Sequence, residues 1–413
     1  MPTSASRLLL LLPTRTYRTE AFVDAATKLG VELVCACERP STLEQLSPDS
    51  LVTLDFADPA ASADTIARFA RRLPIDAVVP VDDQTAVVAA AISQRLGLKA
   101  NPLPAVAIAR DKHAMRRCLA EAGVAVPRFH LVRLSDEPVA RAAQVEYPCV
   151  LKPLALSASR GVIRANDAPE FVAAFHRIAA ILENVEAPLP DEARRALLVE
   201  EFIPGREIAL EGLLVGGTLH VLALFDKPDP LDGPFFEETI YVTPSRLPAA
   251  TQARIAAVTR DACSALGLTE GPIHAELREN ERGPFVLEVA ARSIGGLCSR
   301  TLTFGTGLSL EELILCHALG RPLQSLEREP RAAGVMMIPI PRPGRLTAVH
   351  GADDATAIEG VEEVAITMHA GQEVIPLPEG WQYLGFIFAR AETPAAVEQA
   401  LRQGHARLRF DIE

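Results

Sequence analysis

The sequence predicts a multidomain fold of mixed class, α/β in front and α+β behind, and three observations carry that expectation. Over residues 1–104 short apolar runs alternate with amphipathic stretches, which argues for a parallel sheet with helices on its faces. The middle of the chain is dense in strands that bear charged residues at period two. From about Pro330 the texture changes to short strands with prolines and one closing helix, the pattern of a small α+β unit. The expected division is 1–104, 105–325 and 326–413, with an inner subdomain at about 128–205.

With 413 residues, 49% of them hydrophobic and 23% charged, the chain is long enough for several cores and too apolar for disorder. A net charge of −12 leaves no basic stripe, so nucleic acid is not the expected partner and an anionic ligand needs a local cationic pocket. The aliphatic run from Leu8 to Leu12 is too short for a signal peptide or a membrane span. Seven scattered cysteines without a CxxC pair argue for a reducing compartment and against a disulfide framework or a zinc site. The expectation is a cytoplasmic protein with no membrane partner.

Leu8 to Leu12, Val31 to Cys37 and Ala77 to Val81 read as buried strands, with amphipathic stretches around Thr19 to Leu29 and Ala63 to Arg72 between them. The loop after the first strand, PTRTYRTE, lacks GxGxxG, so nothing supports a dinucleotide-binding reading. Asp82 and Asp83 follow the third strand at the edge where such loops gather. They serve either as the N-cap of a helix over Gln84 to Leu96 or as substrate contacts. Two prolines at Asn101 to Pro104 close this unit. Asp111 then opens a helix with Lys112 in its first turn, and Gly123 and Pro127 end it.

Cys149 to Leu151 is a strand running into Lys152. The small-residue loop Ser157-Ala158-Ser159-Arg160-Gly161 follows, either an ordinary turn or a cradle of backbone amides for a phosphate. Walker A is absent. The apolar strand from Leu197 carries the adjacent pair Glu200 and Glu201 and breaks at Pro204-Gly205 before Glu207, which frees backbone groups to meet a flat ligand edge. A second strand pair, Glu207 to Val215 and Thr218 to Phe225, turns at Gly216-Gly217 and leads to Asp226, Lys227 and a loop rich in Pro, Asp and Gly.

The stretch from Gly271 to Gly296 reads as a β-hairpin that gathers chemistry on one face. His274 and Glu276 share a side, and Ile273, Ala275 and Leu277 share the other. On the return strand Phe285, Leu287 and Val289 are expected to face the core, with Glu288, Ala290 and Arg292 on the polar side. Two carboxylates held that close need a cation, and hard oxygen donors suit Mg²⁺ shared with substrate phosphates. A solvated hairpin face is the alternative.

The ordered set DKHAMRRCLAEAGVAVP, YPCVLKPLALSASRGV, LLVEEFIPGREIALEG, GPIHAEL and LEVAARSIGG resembles the ATP-grasp superfamily, and within it the carboxylate–amine ligases that make dipeptides. The resemblance covers about residues 105 to 320 and implies an ATP-grasp fold with ATP and Mg²⁺, or Mn²⁺, as cofactors. It implies that Lys112 and Lys152 hold the ATP phosphates beneath the loop bearing Ser157, Ser159 and Gly161. Glu200, Glu201 and Ile203 would read the adenine and Glu207 the ribose, with Lys227 near the γ-phosphate. Glu276 and Glu288 match metal-binding carboxylates, and Arg292 matches an arginine that orients the substrate carboxylate and steadies the transferred phosphoryl group. His274 stands on the substrate side, and Gly295 and Gly296 allow close approach of the substrate. Many relatives carry asparagine where this chain has Ala290, so water or phosphate must complete the shell of a second ion.

The implied reaction is ATP-dependent amide formation through an acyl phosphate, between small-molecule carboxylate and amine substrates that are expected to be amino acids. A homodimer is the default assembly for such an enzyme. Two other readings compete: an ATP-grasp enzyme of the biotin-carboxylase or purine-biosynthesis kind, which Arg15 and Arg18 keep open, and a non-catalytic nucleotide-binding protein. The loops at Ser157 to Gly161 and Pro228 to Glu238 are the candidate lids.

Overall fold

A computed structural model describes residues 6–185, 189–323 and 325–413. The opening unit is a parallel sheet in the order Leu51–Thr53, Glu32–Cys37, Arg7–Leu11, Ala77–Pro80. Leu8, Leu9, Leu10 and Leu11 are fully buried because helices cover both faces of this strand. The order reverses at Arg7–Leu11, so the loops after this strand and after Ala77–Pro80 open into one crevice at the carboxyl edge. The three expected strands are present, and the short edge strand Leu51–Thr53 is additional.

Among the described residues two further large sheets follow. The inner subdomain is an antiparallel sheet in the order Phe129–Arg133, Ala196–Glu201, Cys149–Pro153, Ile163–Ala165, backed by the helix Ala168–Glu183. The largest sheet is antiparallel throughout and eight-stranded. Its order is Gly283–Ala290, Gly271–Asn280, Arg206–Val215, Thr218–Asp226, Ile240–Thr243, Ala332–Ile338, Gly385–Ala391, Val361–Ile366. It runs without a break across residue 325, so the C-terminal unit extends the central sheet. A three-stranded sheet of Glu373–Val374, Gly344–His350 and Arg409–Ile412 completes that unit.

Local chemistry explains the sharpest turns. Gly216 and Gly217 have φ of +57° and +81°, the left-handed pair that a two-residue hairpin turn requires. The hairpin from Gly271 differs in phase from its expected pattern. A bulge next to Glu276 pairs Leu277 with Val286, so Val286 and Val289 are buried while Phe285 and Leu287 are only partly covered. One extra residue re-aims every side chain beyond it. Glu276 and Glu288 remain directly opposite each other.

The opening unit is locked to the centre by a buried ion pair. Arg18, 1% exposed, reaches Glu311 on the helix Leu310–Ala318 at 3.0 Å and lies over the Phe22 ring. Among the described residues no helix is long and apolar enough to cross a membrane. Replacing Glu311 with alanine strands the Arg18 charge, and the expected loss is about 3–5 kcal/mol. Denaturant unfolding of Glu311→Ala measures it, and a stability equal to that of the parent would contradict the lock.

Candidate active site

The floor of the site is laid down by strand register. Arg206–Val215 pairs with Gly271–Asn280 so that Glu211 faces His274 and Glu207 faces Arg278. With Glu276 between them, these groups share one face of the sheet. Lys227 follows the next strand and places its Nζ 2.8 Å from Glu207 and 3.2 Å from Glu276, with Glu238 also in contact. Burial opposes the Lys227 charge, but the three carboxylates outweigh it and hold the group protonated.

Glu207, Glu238 and Glu276 bring one oxygen each within 4.8 Å of one another. With Glu211 beside them, four carboxylates share three cations, Lys227, Arg278 and His274. Burial, aided by the charges of Glu276 and Glu207, pushes Glu238 up to about 7 against the pull of Lys227. Hard oxygens with surplus negative charge fit a divalent cation such as Mg²⁺. Ala290, opposite His274, offers no ligand oxygen. Glu288 lies across from Glu276 but turns to Lys112, 3.2 Å from its Nζ.

His274 bridges this cluster to the next loop. Its Nδ1 lies 3.2 Å from Glu211 and its Nε2 3.6 Å from Glu276. Burial works against its charge, yet these two carboxylates raise it to about 9. Glu211, fully buried, also accepts the Ile294 amide at 3.0 Å, which fixes the start of the segment carrying Gly295 and Gly296. Gly295 faces open space, whereas a Cβ on Gly296 (φ +60°) would come 3.2 Å from the Phe386 ring.

The inner subdomain and the helix Lys112–Glu121 before it supply a cationic wall. Lys152, in the strand Cys149–Pro153, lies 2.6 Å from Glu200, whose other oxygen takes Arg116 at 2.5 Å. Lys112 donates to the Leu156 carbonyl at 2.8 Å, at the base of the loop bearing Ser157, Ser159 and Gly161. Ile203 is buried and its carbonyl accepts Arg278 at 2.9 Å, while the Arg278 guanidinium stacks over Phe202. Glu201 faces outward and pairs with Arg128 and Arg282.

The opening unit closes the other side. Asp82 caps the helix Asp83–Leu96 through a capping box with Thr85. Asp83 takes Arg292 at 2.8 Å. Burial would raise its carboxyl, but Arg292 and Arg110 hold it down at about 2. Of the two roles the sequence left open, Asp82 takes the cap, while Asp83 is committed to Arg292.

Comparison with known proteins follows the same outline. Family models described as ATP-grasp N-terminal domain, ATP-grasp domain and L-amino acid ligase C-terminal domain 2 match residues 23–99, 145–301 and 336–413. The crystal structure of L-amino acid ligase from Bacillus licheniformis is similar over 100% of both chains, with a TM-score of 0.81 and 26% identity. The chain belongs to the ATP-grasp carboxylate–amine ligases. Alanine–anticapsin ligase of Bacillus subtilis (strain 168) is 27% identical over 60% of this ligase and 55% of its own length. Dapdiamide A synthase of Enterobacter agglomerans is 29% identical over 71% of this chain and 70% of its own. The aligned part thus spans about half of the first relative and more of the second.

Three charged residues of the candidate site, Arg116, Glu211 and Arg278, escaped the sequence reading, and Glu238 was reached only as the end of a candidate lid. For Glu211 a signal existed, since period two from Glu207 puts it on the same face. Arg278 extends the His274 and Glu276 series in the same way. Arg116 carried none, because it lies on a helix that only folding brings to the site, and nothing in the lid loop marked Glu238 as a partner of Lys227.

Glu200 yields a pH test. Burial disfavours its charge, but Arg116 and Lys152 prevail and lower it to about 2. A depressed carboxylate stabilises the fold above its ordinary value near 4.5 and loses that contribution as pH falls towards 2. Glu200→Gln is expected to cost about 3–5 kcal/mol at neutral pH by leaving buried cations unpaired. The gap should narrow below pH 4.5 in parallel unfolding titrations; a gap independent of pH would refute the assignment.

Proposed function

We propose that this ligase joins the carboxylate of one amino acid to the amine of a second with conversion of ATP to ADP and phosphate. The observation that carries the reading is the convergence of Lys112, Lys152, Lys227 and Arg292 with Glu207, Glu276 and Glu288 around one cleft. Its relatives in Bacillus and Enterobacter bear the names of amino-acid and amide-forming ligases, which supports the substrate class.

A substrate carboxylate oxygen attacks the γ-phosphorus, ADP leaves, and an acyl phosphate forms. The amine then attacks the acyl carbon, phosphate departs, and the amine gives up a proton. Lys112 and Lys152 hold phosphates beneath the Ser157 to Gly161 loop. Backbone groups along Glu200, Glu201 and Ile203 meet the purine edge, and Glu207, steadied by Lys227 and Arg278, receives the ribose. Lys227 turns from its carboxylates to the transferred phosphoryl group. Arg292, released from Asp83, forks onto the substrate carboxylate and balances the charge that develops there. His274, charged at neutral pH, keeps Glu276 oriented. Mg²⁺, or Mn²⁺, would be held by Glu276 and Glu238, with Glu288 joining once Lys112 turns from it to phosphate, and when bound it neutralises phosphate charge. Gly295 leaves room for the substrate backbone.

Of the two arginines that kept the ribonucleotide alternative open, only Arg15 stays available to an anion. Arg18 is spent on Glu311 and the Val81 carbonyl, and Arg15 is exposed.

Phosphate release from Mg-ATP against paired amino acids, with mass spectrometry of each positive, is expected to need two amino acids and to yield their condensed mass. Silence across the matrix while ATP binds would reject the amino-acid reading. Glu288→Gln removes a full charge, and Arg292→Lys removes a bidentate fork. Each is expected to lower turnover at least ~100-fold, as loss of a charge-stabilising group does. Activity near that of the parent enzyme would overturn the site.

A further inference from the structure

We propose that the turn Pro376 to Gly380 of the C-terminal unit clasps the phosphate loop Ser157 to Gly161, with Arg177 and Glu379 as positioning residues that tie this loop to the substrate-side loop at Phe235. This rests on the ATP-binding role given to the phosphate loop above.

The loop is strained where it would meet phosphate. Ala158 and Ser159 have φ of +54° and +53°, a region that side chains with a Cβ disfavour. Gly161, at φ +73°, has no room for one, since a Cβ would lie 2.8 Å from Pro153. Such conformations persist only where surrounding contacts hold them. Here the contacts come from more than two hundred residues away. The Gly161 amide donates to the Pro378 carbonyl at 2.9 Å, and Arg160 Nε donates to the Glu379 carbonyl at 2.9 Å.

The turn is itself held in shape. Gly380 donates to the Pro376 carbonyl at 2.8 Å, and a Cβ on Gly380 would strike the Ile375 carbonyl at 1.8 Å, so the tight reversal needs glycine. The Glu379 carboxylate then forks onto Arg177 of the helix Ala168–Glu183 at 2.5 and 2.9 Å. That guanidinium also lies 4.9 Å from the centre of the Phe235 ring. Phe235 bridges to Ile163, and the Pro234 carbonyl accepts the Arg164 amide at 2.9 Å, which fastens the Pro228 to Glu238 loop to the same subdomain. Phosphate loop, substrate loop and C-terminal turn thus meet at Arg177.

Position, more than stability, is the use of this contact. Arg177 and Glu379 are 44% and 42% exposed, and a pair so open to water adds little to folding. It does fix where the turn's carbonyls stand. With them in place the loop's amides are ordered before nucleotide arrives, which spares that ordering entropy on binding. Release of the turn frees the loop for product exit.

Trp381, the single tryptophan, follows Gly380 directly and reports on the turn. The test titrates the full chain with Mg·AMP-PNP, reading affinity by calorimetry and Trp381 fluorescence in parallel. Parent protein is expected to show a fluorescence change that tracks binding. Arg177→Met and Glu379→Gln are expected to bind about 3- to 10-fold more weakly, in line with loss of a bidentate charged contact, and to lose part of the Trp381 response with melting temperature preserved. The exchange of Arg177→Glu with Glu379→Arg restores the ion pair but not the contact with Phe235, and should recover affinity and the Trp381 response in part, with melting temperature unchanged throughout. Unchanged affinity and fluorescence in both single variants would overturn the clasp and leave the ligase reading intact. Failure of the parent to bind nucleotide would overturn both.

Discussion

Carboxylates taken out of water must be met by cations, and that constraint organises this molecule. A buried ion costs several kcal/mol to dehydrate, and only close, well-directed partners offset it. Glu200 has Arg116 and Lys152, Glu207 has Lys227 and Arg278, Glu211 has His274, and Asp83 has Arg292. Nearly every pair joins two different elements. Shifting one element against another would leave charges unmet on both; Asp83 with Arg292 ties the opening unit to the centre, and Arg116, shared by Glu200 and the Leu287 carbonyl, ties the inner subdomain to it, while the apolar faces supply most of the cohesion.

The balance is complete at the edges of the cleft and incomplete at its centre. Glu207, Glu238 and Glu276 crowd together around Lys227, and burial beside the other two carboxylates drives the Glu238 carboxyl up to about 7. A site with surplus carboxylate beside a wall of lysines is complementary to a cation joined to an anion, which describes a divalent ion on a phosphate chain. The same groups that stabilise one another in the resting protein are those the reaction would redeploy. In the proposed reaction Lys227 and Arg292, held by acidic partners in the resting protein, would be drawn away by a phosphoryl group and a substrate carboxylate.

Closure of the cleft is shared among distant parts of the chain. The eight-stranded sheet continues through the C-terminal unit, so the turn that touches the phosphate loop is carried on the same rigid body as the carboxylate floor. Small residues at Ser157 to Gly161 permit the backbone to approach a ligand, and the C-terminal turn decides which of their many conformations is kept.

Much of this was legible in the sequence. Alternating apolar runs implied the parallel sheet at the front, the double glycine implied a hairpin turn in the central sheet, and period two placed His274 and Glu276 together, opposite Glu288. Those features depend on local sterics and on which side of a strand a residue falls, both written in neighbouring residues. The phase of the return strand was not legible, because a bulge is one residue of slack whose place is chosen by packing. Nor were the partners of the charged groups: Arg116 with Glu200, Arg278 with Glu207, Asp83 with Arg292 and Arg177 with Glu379 are separated by 71 residues or more. Sequence determines which charges exist and which face of an element bears them; only the tertiary structure decides which opposite charge lies within reach, since Coulomb attraction acts through space and folding sets the distances.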